Sequence, residues 1–279
     1  MRTLSFKNII SVHYMEFIGG SMSDSSKKLY MHNLKKLNDG KELKDFNFLK
    51  RTDQVMEKMP KNRNTCRSYI IACVNACKER KGFKKALEFY TKRMDEINAE
   101  LKDATNKTDR YKENEMTWEE ILDARDKLPK DSVEYVVMCL YTMCAPRRNL
   151  DYIMKVGGPK ENSNWYDGVN FYFGHFKTAG KYHTQVIPVP DDLKEVLNSY
   201  LENRPFRSTD ILIKKSGKPF TTKDIQLTLN KVLQKKVGAT MMRSIYLSSK
   251  YGDMVEDMKE DAEKMGTSSG VIQSNYLKK

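Results

Sequence analysis

Thr240-Met-Met-Arg243, Met265-Gly-Thr-Ser-Ser269 and Gln273-Ser-Asn-Tyr276-Leu-Lys fill the stretch from Thr240 to Lys279, and their reading decides the rest of the chain. An arginine, then Gly-x-Ser-Ser, then a tyrosine is an unusual order. The guanidinium fork matches two phosphate oxygens and never loses its charge, and a phenol hydroxyl is a nucleophile. Tyr276 stands beside Ser274, Asn275 and Lys278, where burial in a core is not expected. Tyr246 and Tyr251 are its rivals, but they fall on a helix expected around Tyr246 to Met258, beside Leu247 and Met254, where packing accounts for them better.

The 279 residues leave room for two ordinary domains, and 50 Lys+Arg against 37 Asp+Glu give a formal charge of +13. Such an excess points to a polyanionic partner, most often nucleic acid. The five cysteines (Cys66, Cys73, Cys77, Cys139, Cys144) form no CxxC pair, and the four histidines are scattered, so no metal site and no cofactor are expected. Cys73 and Cys77 read as buried free thiols, which places the protein in a reducing, intracellular compartment. Residues 1–22 lack the unbroken apolar core of a signal peptide and read as an N-terminal arm; no run has the length of a membrane span.

Helix signals begin at Ser23-Asp-Ser-Ser26, cap residues ahead of Leu29, Tyr30, Leu34 and Leu37; Asn38-Asp-Gly40 ends that helix. A second helix is expected from Leu43 to Met59, stopped by Pro60. A third opens at Asn64-Thr65 with Tyr69, Ile70, Cys73, Val74 and Cys77 as its stripe, and a fourth runs from Lys84 to Lys102. These make a small bundle over residues 23–102. Residues 103–116 are charged and read as a linker; 117–279 form the second domain.

That domain opens with the capping box Thr117-Trp-Glu-Glu120. A very apolar helix from Ser132 to Cys144 then delivers Ala145-Pro-Arg-Arg148. Strands are expected over Tyr152–Val156 and Gly168–Phe176, the second pairing with Val186-Ile-Pro-Val in a hairpin that turns at Gly180 and Lys181. Helices are expected over Asp191–Asn203 and from Thr221 to Leu233, with a short strand at Ile211-Leu-Ile213 between them. The outline is mostly α with a small β-sheet.

The C-terminal set resembles the active-site block of the tyrosine recombinases, or phage-type integrases, whose pattern is His-x-x-Arg, then Gly-His-Ser, then a Tyr nucleophile. Both histidine positions are threonine here, Thr240 and Thr267. The resemblance implies a helical core-binding domain and a mixed α/β catalytic domain that clamp DNA like a C. In it Arg148, with Asp151 three residues on, aligns best with the first catalytic arginine, and Arg147 is the rival. Lys177, in Phe176-Lys-Thr-Ala-Gly180, resembles the β-hairpin lysine that protonates the leaving 5′-oxygen. Arg243 is the second arginine, and Tyr276 the nucleophile that forms a 3′-phosphotyrosyl link.

The implied activity is site-specific cutting and rejoining of DNA strands without metal or ATP, on double-stranded DNA, by a homo-oligomer: a dimer on a site and a tetramer at synapsis. Lys27, Lys28, Lys61, Arg63 and Arg67 would touch phosphates from the first domain. Such an enzyme suits a virus or mobile element. Threonine can donate one hydrogen bond but is no base at neutral pH, and losing one assisting group costs on the order of 10²-fold in rate. Two alternatives stay open: a catalytically weak or inactive DNA-binding protein on the same scaffold, and an enzyme of the type IB topoisomerase kind.

Overall fold

The structure is a computed structural model that describes residues 22–78, 80–103, 109–158, 163–176 and 183–277. The chain divides into two compact units, Met1–Asn106 and Lys107–Lys279. It is mostly helical with one small mixed sheet.

In the first unit, α1 (Asp24–Leu37) starts where Ser23 accepts from the Ser26 N–H. It ends at Asn38, followed by Asp39 and Gly40 at positive φ. Leu34 and Leu37 are buried, whereas Leu29, expected on the same stripe, is exposed. The helix expected from Leu43 to Met59 is instead a loop, a single 3₁₀ turn at Asn47–Lys50 and the short α2 (Thr52–Glu57). One physical cause is local and the other lies far along the chain, at Tyr90. The Asp45 carboxylate accepts from the Asn47 N–H, and the Leu49 carbonyl is taken by the Tyr90 hydroxyl at 2.9 Å instead of by a later N–H of its own segment. The long α3 (Arg63–Cys77), capped by Asn62, packs against α1 and against α4 (Lys84–Asp103). Leu34, Leu49, Ile70, Cys73, Tyr90 and Ile97 form the centre of this core.

In the second unit the described end of the expected linker is folded. It contains α5 (Asp109–Glu113), and Asn114 is buried with its Oδ1 accepting from the Lys236 N–H at 2.6 Å. Next come α6 (Trp118–Asp126), with the Thr117/Glu120 capping box formed, and α7 (Val133–Thr142). Every residue from Tyr135 to Tyr141 is buried, because α6, α8 (Asp191–Asn203) and α9 (Thr222–Leu233) all pack on α7. The sheet order is β1 (Lys155–Val156), β2 (Asn164–Tyr166), β3 (Asn170–Phe173) and β4 (Gln185–Pro188). β1 and β2 are parallel and the other pairs antiparallel, and Phe171 faces Ile187 across the expected hairpin. The expected turn at Gly180 and Lys181 lies outside the described residues, as does the arm over residues 1–21.

Ile211-Leu-Ile213 is buried but forms no strand: the preceding Asp210 bridges Lys155, and Ile213 bridges Pro219, each in isolation. The Arg204 guanidinium donates to the carbonyls of Asp210 and Ile211, which occupies acceptors a ladder would use. The last long element is α10 (Ala239–Lys264), 26 residues without a break. It is much longer than the helix expected around Tyr246 to Met258, and it takes in Thr240 and Arg243. A Schellman-type ending closes it: Gly266 at φ +65° donates to Glu263, and the Thr267 N–H reaches the Ala262 carbonyl at 2.9 Å. A short turn of helix, α11 (Ser269–Val271), then a wider turn at Ile272–Tyr276 complete the described chain.

Candidate active site

The end of α7 positions the first two arginines. Beyond Thr142 the chain turns, and the buried Tyr152 ties the turn down: its hydroxyl donates to the Leu140 carbonyl at 2.6 Å and accepts the Arg147 N–H at 3.0 Å. Burial raises the Tyr152 pKa, so the phenol stays neutral and serves as a brace. Burial also pushes the Cys144 thiol up to about 11.

Arg147 is committed to the protein. Its Nε donates to Asp151 Oδ2 at 2.8 Å, and its guanidinium lies 3.9 Å from the centre of the Phe173 ring. Arg148, one residue on, is half-buried and has no side-chain hydrogen bond or ion pair among the described residues. Arg243, in the second turn of α10, is half-buried and equally unpaired among them.

Arg147, Arg148 and Arg243 line one cavity of about 310 Å³, together with Asp151, Tyr152 and the hairpin residues Phe173, Gln185 and Ile187. Asp151 is buried, and its second oxygen, Oδ1, has no hydrogen-bond partner among the described residues. A buried carboxylate oxygen left in that state calls for a donor. The cavity therefore presents two unpaired cations and one unsatisfied acceptor.

Asn164 joins the arginine turn to the hairpin, a role that spacing did not reveal. Its amide donates to the carbonyls of Leu150, Asp151 and His175, and its oxygen accepts the His175 N–H at 2.8 Å. The approach is close: a Cβ on Gly174 would stand 2.8 Å from the Ser163 carbonyl oxygen, so only glycine fits there. The sole signal in the sequence was a polar residue at the head of an aromatic pair, which is too weak to single out.

The remaining expected site residues are distributed as follows. Lys177 lies outside the described residues. Thr240 is exposed in the first turn of α10 and does not line the cavity. Thr267 follows the far end of α10, about 30 Å along the helix axis from Arg243 at 1.5 Å per residue. Tyr276 is 62% exposed and also does not line the cavity; the wider turn that holds it rests against α10 through Gln273 and Met258. The cavity thus gathers Arg147, Arg148 and Arg243 and does not gather Thr240, Thr267 or Tyr276.

On the first unit, Lys28 and Lys61 are exposed and Lys27 is half-buried. Arg63 pairs with Glu100 at 3.0 Å, and Arg67 donates to Asn98, so both are already engaged within the unit. Among the described residues, no group of three or more His, Cys, Asp or Glu is arranged to hold a metal ion. No helix among them is long and apolar enough to cross a membrane.

No family model and no curated protein matches this chain. Among solved structures, the crystal structure of XerA recombinase is similar over 87% of this chain and 83% of that one, with 14% identity and a TM-score of 0.35. Neither figure establishes a shared fold.

Proposed function

We propose that the protein is a DNA strand transferase of the tyrosine-recombinase kind, in which the cavity beside α7 and α10 receives the scissile phosphate. The observation that carries this reading is the meeting of Arg148 and Arg243, distant in sequence, on one cavity with neither guanidinium neutralised from within. Two fixed cations clamp the non-bridging oxygens as charge builds on them during in-line attack. Tyr276 attacks phosphorus and releases its phenol proton to water, the bond to the 5′-oxygen breaks, and Lys177 supplies that oxygen with a proton. The product is a 3′-phosphotyrosyl link that a free 5′-hydroxyl reverses. Because Tyr276 starts outside the cavity wall, it reaches the phosphate by movement of the terminal segment or from a neighbouring copy.

A nicked suicide substrate tests this reading. The full chain is expected to form a covalent adduct with DNA that is lost in Tyr276→Phe and reduced at least ~10²-fold in Arg148→Ala and Arg243→Ala. Mixing Tyr276→Phe with Arg243→Ala restores the adduct only if the tyrosine acts across copies. Binding without any adduct sinks the proposal. It would favour the second reading, an inactive DNA-binding protein, for which the position of Tyr276 and the exposed threonine at 240 speak.

A further inference from the structure

Beyond Ile245, α10 leaves the core. Between there and Ala262 it has no buried residue, although Leu247, Tyr251, Met254 and Val255 are 50, 41, 61 and 44% exposed. Leu247, Tyr251 and Met254 follow one another at steps of four and three, and Met258, four further on, is half-buried where Gln273 of the terminal turn rests on it. This is the spacing of a helix seam that packs on another surface, and such a contiguous exposed apolar face marks an interaction site.

The charge beside the seam says what covers it. From Asp253 to Lys264 there are six acidic residues and two lysines, in a chain of net charge +13; Lys259 pairs with Glu256 at 3.0 Å and Lys264 with Glu260 at 3.6 Å, while Asp253, Asp257 and Glu263 have no ion pair among the described residues. That excludes nucleic acid, and a second α10 would bring acid against acid. The complementary surface stands on the same unit. Residues 204–236 hold nine Lys+Arg against two Asp. They contribute to a cavity of about 580 Å³ lined by Leu128, Val133, Tyr200 and Ile213 together with Lys214, Lys215 and Lys231. Asp131 and Glu134 also line it, but Glu134 is paired with Lys231 at 3.0 Å. Lys214 pairs with Asp224; Lys215 is exposed, makes no ion pair among the described residues and lies within electrostatic reach of Glu134.

We infer that the acidic, apolar seam of α10 docks into this lysine-rimmed apolar cavity on a second copy of the chain. Met254 and Tyr251 fill the apolar floor, and Glu256, Asp257 and Glu260 meet the lysines. The contact joins two different patches, so it is heterologous, closing into a ring or continuing as a chain. It depends on no step of the strand-transfer chemistry.

Sedimentation equilibrium of the full chain without DNA tests the inference. Self-association is expected at tens of micromolar in low salt, weakening as salt is raised because charge contributes to it. Met254→Glu should weaken it at least ~30-fold, the effect of removing a central anchor, with the melting temperature unchanged because Met254 supports no core. Lys215→Glu/Lys231→Glu should weaken it similarly. Mixing that variant with Glu256→Lys/Asp257→Lys should restore association between the two. A monomer at low salt overturns the inference. So does association that survives both changes, or that is lost in Met254→Glu but indifferent to the lysines, since the seam would then cover some other surface.

Discussion

Arg147 has its guanidinium stacked on Phe173 and bonded to Asp151, whose side chain is 3% exposed. Arg148 has no such partner among the described residues. By sequence Arg148 was the first choice and Arg147 its rival, and nothing in Pro146-Arg-Arg148 says which side chain turns toward a carboxylate further on. The structure separates them, and the separation is measurable. Arg147→Ala leaves a buried charge uncompensated, which costs about 3–5 kcal/mol in urea denaturation. Adding Asp151→Asn should recover part of that loss, since the two changes act on one pair. Arg148→Ala should move the midpoint by no more than about 0.5 kcal/mol. Equal losses for Arg147→Ala and Arg148→Ala would show that the pairing drawn here is wrong.

Among the elements, those that announced themselves chemically were legible. Ser23, Thr117/Glu120, Ser132 and Thr221/Asp224 each cap the helix they were expected to open. β2 was missed because its three residues, Asn164–Tyr166, are all buried and so show no alternation of apolar and polar. The break near Arg51 and the failure of Ile211–Ile213 to form a strand depend on Tyr90 and Arg204, partners that no local window contains. The cap of α9 also yields a prediction. Hydrogen bonds from Lys214, then from the Thr221 side chain and backbone, hold the Asp224 carboxyl at about 2, below its ordinary value of about 3.9. The folded value lies below the unfolded one, so the stabilisation is present above about pH 4 and is lost as pH falls toward 2. Asn at this position cannot titrate. The gap in melting temperature between the native chain and Asp224→Asn should therefore narrow steadily from pH 5 to pH 2; a constant gap would mean that the charge of Asp224 contributes nothing.

At the scale of the molecule, the two hydrophobic clusters share no residue. One closes around Leu34, Ile70 and Tyr90, the other around Val136, Tyr152 and Leu229. If each cluster is the cooperative unit of its own domain, calorimetry resolves two transitions, and a substitution in one core moves only one of them. Tyr90→Phe removes the hydroxyl that satisfies the buried Leu49 carbonyl, a loss of about 1–2 kcal/mol. In a domain of 60–100 residues each kcal/mol lowers the midpoint by about 4–8 °C. Arg147→Ala acts on the other cluster, whose larger size gives about 2–4 °C per kcal/mol. The expected result is a crossed pattern: Tyr90→Phe lowers one transition and leaves the second in place, and Arg147→Ala does the reverse. A single transition lowered by both variants would mean that the two cores melt as one body, and the division of labour between a helical unit and a unit carrying the arginine cavity would have to be abandoned.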